Sequence, residues 1–393
     1  MTPLLSLEEA QIRLLRLAEP LATEILPVGA SLGRYLASPV VARRSQPPAD
    51  LSSMDGYAIG GPGPWRIIGE SRGGAPFSGT VRNGEAVRIS TGAVLPAGCD
   101  RILIQEHAER GGDELSLTSQ MPAAGQHIRR AGFDFASGET LMGAGTLIGP
   151  AQIALILASG ARIVTTRHKP RVTFIDCGDE LAADPENCLP HQIPASNGAM
   201  LAALAANIPC ETRQIGPVPD TLSALGEAFE AAGDSDLIVT SGGASVGDHD
   251  LIRPALAEWG AEIDFWRVAI KPGKPLLVAR RDRQVILGLP GNPVSSFVTG
   301  YLFMLPLLRH LSGAKEPLPL RLMCRAGRDL PATGPRREFL RAIIEGSTVT
   351  PLLEQDSSAL LALARANALI ERPENSGEVK AGTDVPVYLI RNG

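Results

Sequence analysis

Apolar residues recur along this chain in three successive rhythms, and each change of rhythm marks a change of architecture. At the start, Ser6-Leu7-Glu8-Glu9 reads as a capping box that opens an amphipathic helix to about Ala18. Short apolar runs broken by Gly and Pro follow: Trp65-Arg66-Ile67-Ile68, Ala86-Val87-Arg88-Ile89 and Arg101-Ile102-Leu103-Ile104. Runs of that length predict strands, so residues 1–168 read as β-rich. A second helix, roughly Pro150 to Ser159, closes this part, with its proline in the first turn, where a missing N–H is tolerated.

From about Lys169 strands and helices alternate. Val172-Thr173-Phe174-Ile175 is a buried-type strand, followed by helices over Ala199–Ala206 and Leu222–Ala232, the strand Leu237–Thr240 and a helix over Leu251–Trp259. Alternation of this kind predicts a parallel sheet covered by helices, here over residues 169–313. Two further strand-like runs, Trp266–Ile270 and Leu276–Ala279, precede Val285–Gly288, which leads through Pro290-Gly291-Asn292-Pro293 into a helix toward Leu311. After Ser312-Gly313 short strands return, including Phe339–Ile344 and Val385–Ile390, so residues 314–393 are expected to form a small β-domain.

Composition adds limits to this picture. At 393 residues the chain is long for one core, and 42 Gly with 32 Pro indicate many turns. A net charge of −5 gives no sign of a nucleic-acid or membrane surface, so an anionic ligand must be met by local positive clusters. Five cysteines, none in a C-x-x-C spacing, fit a reducing cytoplasm, and the six histidines lack metal-ligand spacing. No export signal is visible at the amino terminus. The apolar runs near Ile153–Ala158 and Phe297–Leu308 are short or broken by Gly300 and Pro306, below the roughly 18 residues a membrane span needs.

Candidate chemistry gathers at Lys271-Pro272-Gly273-Lys274-Pro275. Only five of the 37 basic residues are lysines, and two of them stand here on a backbone stiffened by proline. Such a turn is either an anion site or a Pro-Gly loop with incidental lysines. Three more polar or glycine-rich turns follow predicted strands: Asp176 to Glu180, Ser241 to Asp250, and Pro290 to Ser295. Ligands of such sheets bind beyond the carboxyl ends of the strands, so the four turns describe one crevice in which amides, a helix amino terminus and Ser295 face an oxyanion. Glu180, Asp248 and Asp250 would repel a bare polyanion, and Mg²⁺ between them and a phosphate resolves the conflict. Taken singly, each turn has a plain reading as a tight connection or a helix cap. In the β-rich part, Ser52 to Ala58, Ser90 to Ala93 and Gly125 to Asp134 stand out. Arg129-Arg130 with Asp134 reads as an ordinary solvated ion pair worth under about 1 kcal/mol.

Taken together, S-x-MDGYA, G-x-x-IRxxGxD, DEL after a strand, SGGxSxGxxD, KPGKP and GLPGNPVS, in this order over almost the whole chain, resemble the molybdopterin molybdotransferase family, which includes the E domain of gephyrin. The resemblance implies three parts: an elongated amino-terminal region with an inserted β-domain, a central doubly wound, mostly parallel α/β domain similar to molybdopterin adenylyltransferases, and a small carboxyl-terminal β-barrel. It implies a transferase that joins molybdate to adenylylated molybdopterin with release of AMP, assisted by Mg²⁺. It further implies a cytoplasmic homodimer whose site is shared between subunits, with the molybdopterin adenylyltransferase and molybdoenzyme apoproteins as partners. Neither nucleic acid nor membrane is expected as a partner.

Carried over position by position, the resemblance marks Asp55, Thr91 and Asp134 in the amino-terminal region and Glu180, Asp220, Asp250, Lys271, Lys274 and Ser295 in the centre. Toward the carboxyl end it marks Arg341 and Ser357. Asp55, Asp250, Lys271, Lys274 and Arg341 are expected to be catalytic, with Lys274, Ser295, Arg341 and Ser357 on molybdate and Lys271 assisting. Ser241, Gly242, Gly243, Ser245, Gly247 and Asp248 would take the phosphate beside Gly291 and Asn292, and Glu180 with Asp250 the metal. Two departures stand out. Asp176-Cys177 replaces a small hydroxyl pair, and Ala195-Ser196-Asn197 lacks the usual leading acid. The alternatives are the adenylyltransferase reaction itself, whose enzymes lack the long flanking regions, and a non-catalytic dimeric scaffold.

Overall fold

Six strands in the middle of the chain frame the molecule: β1 (Arg171–Cys177), β2 (Glu211–Val218), β3 (Leu237–Ser241), β4 (Glu262–Trp266), β5 (Leu277–Arg281) and β6 (Gln284–Leu289). The computed structural model describes residues 4–242 and 251–390. The strands lie in the order β2-β1-β3-β6-β5-β4. Pairings among β2, β1, β3 and β6 are parallel, with Phe174 opposite Val239 and Val239 opposite Leu287, while β5 and β4 run antiparallel at one edge. The sheet is thus mostly parallel with an antiparallel edge, because the chain returns from β4 through a loop that touches the barrel and from β5 through a tight turn, in neither case crossing over with a helix.

Side chains alternate across this sheet, and both faces are covered. Val172, Phe174, Val239, Val285 and Leu287 face one core with α1 (Leu7–Leu17), α3 (Asn197–Ala205) and α6 (Pro293–Leu311). Ile175, Ile238, Ile286 and Leu277 face the other, with α4 (Leu222–Ala231) and α5 (Ile252–Glu258). Each of these fully buried side chains stabilises the fold by about 1.5–3 kcal/mol. The capping box of α1 forms as expected, Ser6 Oγ accepting the Glu9 amide while the Glu9 carboxylate accepts the Ser6 amide.

Two expectations are corrected. The apolar stretch through Gly300 and Pro306 is not broken: Pro293–Leu311 is one helix of 19 residues, 83% buried, with a π turn at Gly300–Met304. That turn restarts the α ladder at Leu305, so Pro306 falls in a first turn, where its missing N–H costs nothing. The helix is long and apolar enough to cross a bilayer, and it is the inner helix of the first core. Nor is Trp266–Ile270 one strand. β4 ends at Trp266, Arg267 has φ of +123°, and Ile270–Lys271 pairs in parallel with Arg337–Glu338 of the carboxyl-terminal part.

Ahead of the central sheet, α2 (Pro150–Ala158) follows a six-stranded sheet built from Gly56–Ile59, Trp65–Ser71, Glu85–Ile89, Arg101–Ile104, Ala108–Gly111 and Glu114–Leu117. A ribbon of Thr23–Pro27 against Ile163–Arg167 joins the two ends of this region. Beyond α6, five strands, Leu322–Ala326, Arg337–Glu345, Thr348–Pro351, Ala368–Arg372 and Asp384–Leu389, close into a barrel, because Arg337–Glu345 pairs with strands on both sides. Phe339, Leu369 and Tyr388 on its outer face join the core that holds α1 and α6.

Candidate active site

The order β2-β1-β3 means that the chain leaves β1 to one side and returns on the other, which opens a crevice at the carboxyl ends of β1 and β3. Three of the four polar turns stand there. Gly178 donates its amide to Val218 O at 3.1 Å, and Asp179 accepts the Asp220 amide at 3.1 Å. Across from them, Gly242 has φ of +95° and a methyl group on it would fall 2.2 Å from Cys177 O, so only glycine lets this turn close on its neighbour. A methyl on Gly291 would lie 3.5 Å from Gly242 Cα, which places the turn after β6 against the turn after β3. Ser241 is buried. Gly243, Ser245, Gly247, Asp248 and Asp250 lie outside the described residues.

Pro290 to Ser295 is held from two sides. Asn197 Nδ2 donates to Gly291 O at 2.6 Å, and Asn292 Nδ2 donates to Ser357 Oγ at 2.9 Å. The Val294 amide donates to Ser357 O at 3.1 Å, so a loop of the barrel part closes over the start of α6. Ser295 is buried in that first turn. The distant Ser357 and Ser295 of the motif list are thereby brought together at one helix amino terminus, whose dipole favours an anion.

The lysine turn reaches the same edge because Trp266 and Leu277 pair at the ends of β4 and β5. A methyl on Gly273 would fall 2.6 Å from Thr299 Cγ2, and Thr299 Oγ1 donates to Ser295 O at 2.7 Å, one helical turn away. The two lysines have separate surroundings. Lys271 Nζ pairs with Glu338 of the barrel at 3.0 Å, whereas exposed Lys274 makes no ion pair among the described residues. The Lys271 side chain is 55% exposed, so its pair contributes at most about 1 kcal/mol and leaves the ammonium movable.

Arg341 takes a different position from that expected of a group lying on an anion. It is fully buried, and Nη2 donates at 3.0 Å to the carbonyls of both Glu354 and Asp356, holding the loop that presents Ser357. Burial pulls its pKa below the ordinary guanidinium value, partly offset by Glu354 and Asp356. Its Nε and Nη1 are buried without a partner.

Carboxylates crowd the end of β1. Burial raises the Asp176 pKa, against the opposing Gly198 amide. Burial, together with Asp220 and Asp176, pushes the Cys177 thiol up, which favours its neutral form. Asp179 and Glu180 have no paired cation among the described residues, where no group of three or more His, Cys, Asp or Glu side chains converges. Open carboxylate oxygens of this sort suit Mg²⁺, which takes one or two carboxylates and completes its shell with water and substrate phosphates.

Asp55, Thr91 and Asp134 form a separate group in the amino-terminal region. Asp55 Oδ1 accepts the Thr91 amide at 2.8 Å, and the Asp134 amide donates to Gln46 O at 2.9 Å. Arg130 pairs with Asp50 at 2.6 Å, which corrects the expected ion pair with Asp134. A cleft of about 1150 Å³ lies at the opposite edge of the central sheet, lined by Arg171, Glu211, Asp236 and Gln284 at the amino ends of the strands. Within it Arg171 pairs with Asp236 at 3.6 Å, while Lys169, Glu211, Arg280 and Arg283 make no ion pair among the described residues, and the cleft lies at the other end of the strands from the turns described above. Reading by motif noted Asn197 only as the end of Ala195-Ser196-Asn197, and it missed Thr299 and Glu338, whose only sequence signal is their nearness to marked residues.

Three family profiles match successive stretches of the chain: MoeA N-terminal region (domain I and II) over residues 5–160, probable molybdopterin binding domain over 173–310, and MoeA C-terminal region (domain IV) over 324–390. The molybdopterin molybdenumtransferase of Nostoc sp. is 34% identical over 94% of this chain and 89% of that protein. That of Haemophilus influenzae is 31% identical over 98% of both. Among solved structures, the molybdopterin biosynthesis moeA protein from Pyrococcus horikoshii OT3 superposes with a TM-score of 0.86 at 27% identity, covering 99% of this chain and 100% of that one.

Proposed function

This chain belongs to the MoeA family of molybdopterin molybdenumtransferases, and from that premise we propose how its residues carry out the transfer. The enzyme inserts molybdenum into molybdopterin. Molybdate sits at the amino terminus of α6, with Ser295 and Ser357 donating to its oxygens and Lys274 supplying the charge. Lys271 leaves Glu338 to assist. The single observation that carries this reading is the Asn292–Ser357 bond at 2.9 Å, which joins two remote hydroxyl-bearing loops at one helix end beside the lysine turn. Arg341 serves by holding the Ser357 loop in place.

The pterin substrate arrives adenylylated, its phosphates on the turn from Ser241 to Gly247 and against Gly291 and Asn292. Water adds across the phosphoanhydride and AMP departs; the two dithiolene thiols then bond molybdenum, their two protons leaving with one molybdate oxygen as a single water. Glu180 and Asp250 would hold Mg²⁺, which neutralises phosphate charge when bound. Asp220 keeps the first turn in place through its amide bond to Asp179.

Asp55, Thr91 and Asp134 complete the site of a second copy, so the working unit is a homodimer. Both Asp55 and Asp134 are exposed, Asp55 with its Oδ1 already on the Thr91 amide. All five cysteines are free, in keeping with work in a reducing cytoplasm, where the molybdopterin adenylyltransferase supplies the substrate and molybdoenzyme apoproteins take the product. The test is to give the purified protein adenylylated molybdopterin, Mg²⁺ and molybdate and to follow AMP and pterin-bound molybdenum. AMP release in step with molybdenum capture supports the assignment, and AMP release with no molybdenum on the pterin overturns it.

A further inference from the structure

One buried carboxylate at this edge has no part in the reaction just described. Asp176 is 8% exposed and ends the inner run of β1, opposite Ser241 of β3. Both of its oxygens accept the amide of Gly198, at 2.9 and 3.1 Å, in the first turn of α3. Ser196, the residue ahead of that helix, makes no capping bond with its own side chain. A helix start left so would hold orphaned N–H groups, and Asp176 supplies the missing acceptor from a neighbouring strand. Any residue other than glycine at 198 would place its Cβ 2.5 Å from Asp176 Oδ2.

Next to Gly198 stands Asn197, whose Nδ2 holds Gly291 O at 2.6 Å, and the following Asn292 holds Ser357 Oγ. A continuous line of hydrogen bonds thus runs from β1 through α3 to the turn before α6 and on to the barrel loop. We propose that Asp176 is a positioning residue for the anion site, setting α3 so that Asn197 fixes the Gly291-Asn292 turn and, through it, Ser357. The inference rests on the assignment of that turn to substrate. It accounts for the acid at 176 in a chain with alanine at 195: the acid holds the helix start from the strand.

Amide hydrogen exchange over residues 289–294 tests it without any turnover, so its outcome stands apart from that of the AMP assay. Asp176→Ala should speed exchange there roughly tenfold, and Asp176→Asn, which keeps one acceptor, should hold it within about threefold of the unmutated protein. Gly198→Ala should reproduce the alanine variant. In the kinetic assay the same loosening should raise KM for the adenylylated substrate about tenfold with kcat within about threefold. Unaltered exchange at 289–294 in Asp176→Ala, with only a lowered Tm, overturns the proposal, as does equal disturbance by the asparagine variant. Should Asp176→Ala fail to fold, Asn197→Ala decides, because it leaves the cap intact: it must loosen 289–294, and an unaffected turn overturns the proposal.

Discussion

At the scale of single residues, Lys274 and Lys271 separate in role although three positions separate them in sequence. Lys274 has no competing partner among the described residues, so Lys274→Ala should lower kcat/KM by at least about a hundredfold, the loss of a charge-assisted contact worth roughly 3 kcal/mol. Lys271 is shared with Glu338, and Glu338→Gln should free it and lower KM for molybdate, which an oxyanion titration reads directly. Asp50 yields a pH prediction. Its carboxyl is held below the usual range by the Ala131 amide and by Arg130, so its contribution to stability is present above the unfolded value near 3.8 and is lost as pH falls through the lower folded value. Asp50→Asn should therefore reduce Tm at pH 7, and the difference from the unmutated protein should shrink as pH falls below the unfolded value near 3.8 and through the lower folded one. What the sequence could not disclose at this scale is partnership: Arg130 has carboxylates at 50 and 134 within reach of any plausible loop, and only the fold selects Asp50.

Elements were easier to read, because periodicity and caps are local. The start of α1 was legible from its capping box, and Ser6→Ala should cost about 1 kcal/mol in chemical denaturation. β1, β3 and β6 were legible as apolar runs of the right length. Errors arose where a tertiary contact overrides a local signal. Gly300 looked like a breaker, yet a methyl on it would lie 2.7 Å from Leu201 Cδ2, so its small size serves close packing of α6 on α3. The run Trp266–Ile270 looked continuous, because nothing in its apolar pattern announces the positive φ at Arg267 or the two-residue pairing with the barrel. At Gly242 the close approach to Cys177 O makes substitution severe: Gly242→Ala should abolish AMP release with the far-UV circular dichroism little altered.

Across the whole molecule, the architecture was legible from the sequence of rhythms and the barrel from the resemblance, while its strand number was not, since only the pairing of Arg337–Glu345 on both sides shows that five strands close it. Site residues from the centre and from the barrel meet within one chain. On the proposed reading, Asp55 and Asp134 join them from a second copy. Mixing Asp55→Ala with Lys274→Ala subunits should restore about a quarter of unmutated activity, because half the dimers are mixed and each of those carries one intact site. No recovery after verified subunit exchange would count against the shared site.

The first core draws on α1 at the start of the chain, on α6 in its middle, and on Phe339, Leu369 and Tyr388 near its end. Deleting either flank would therefore strip apolar side chains of this core bare. A truncated form would need polar replacements along that bared seam before it could stay dispersed in water.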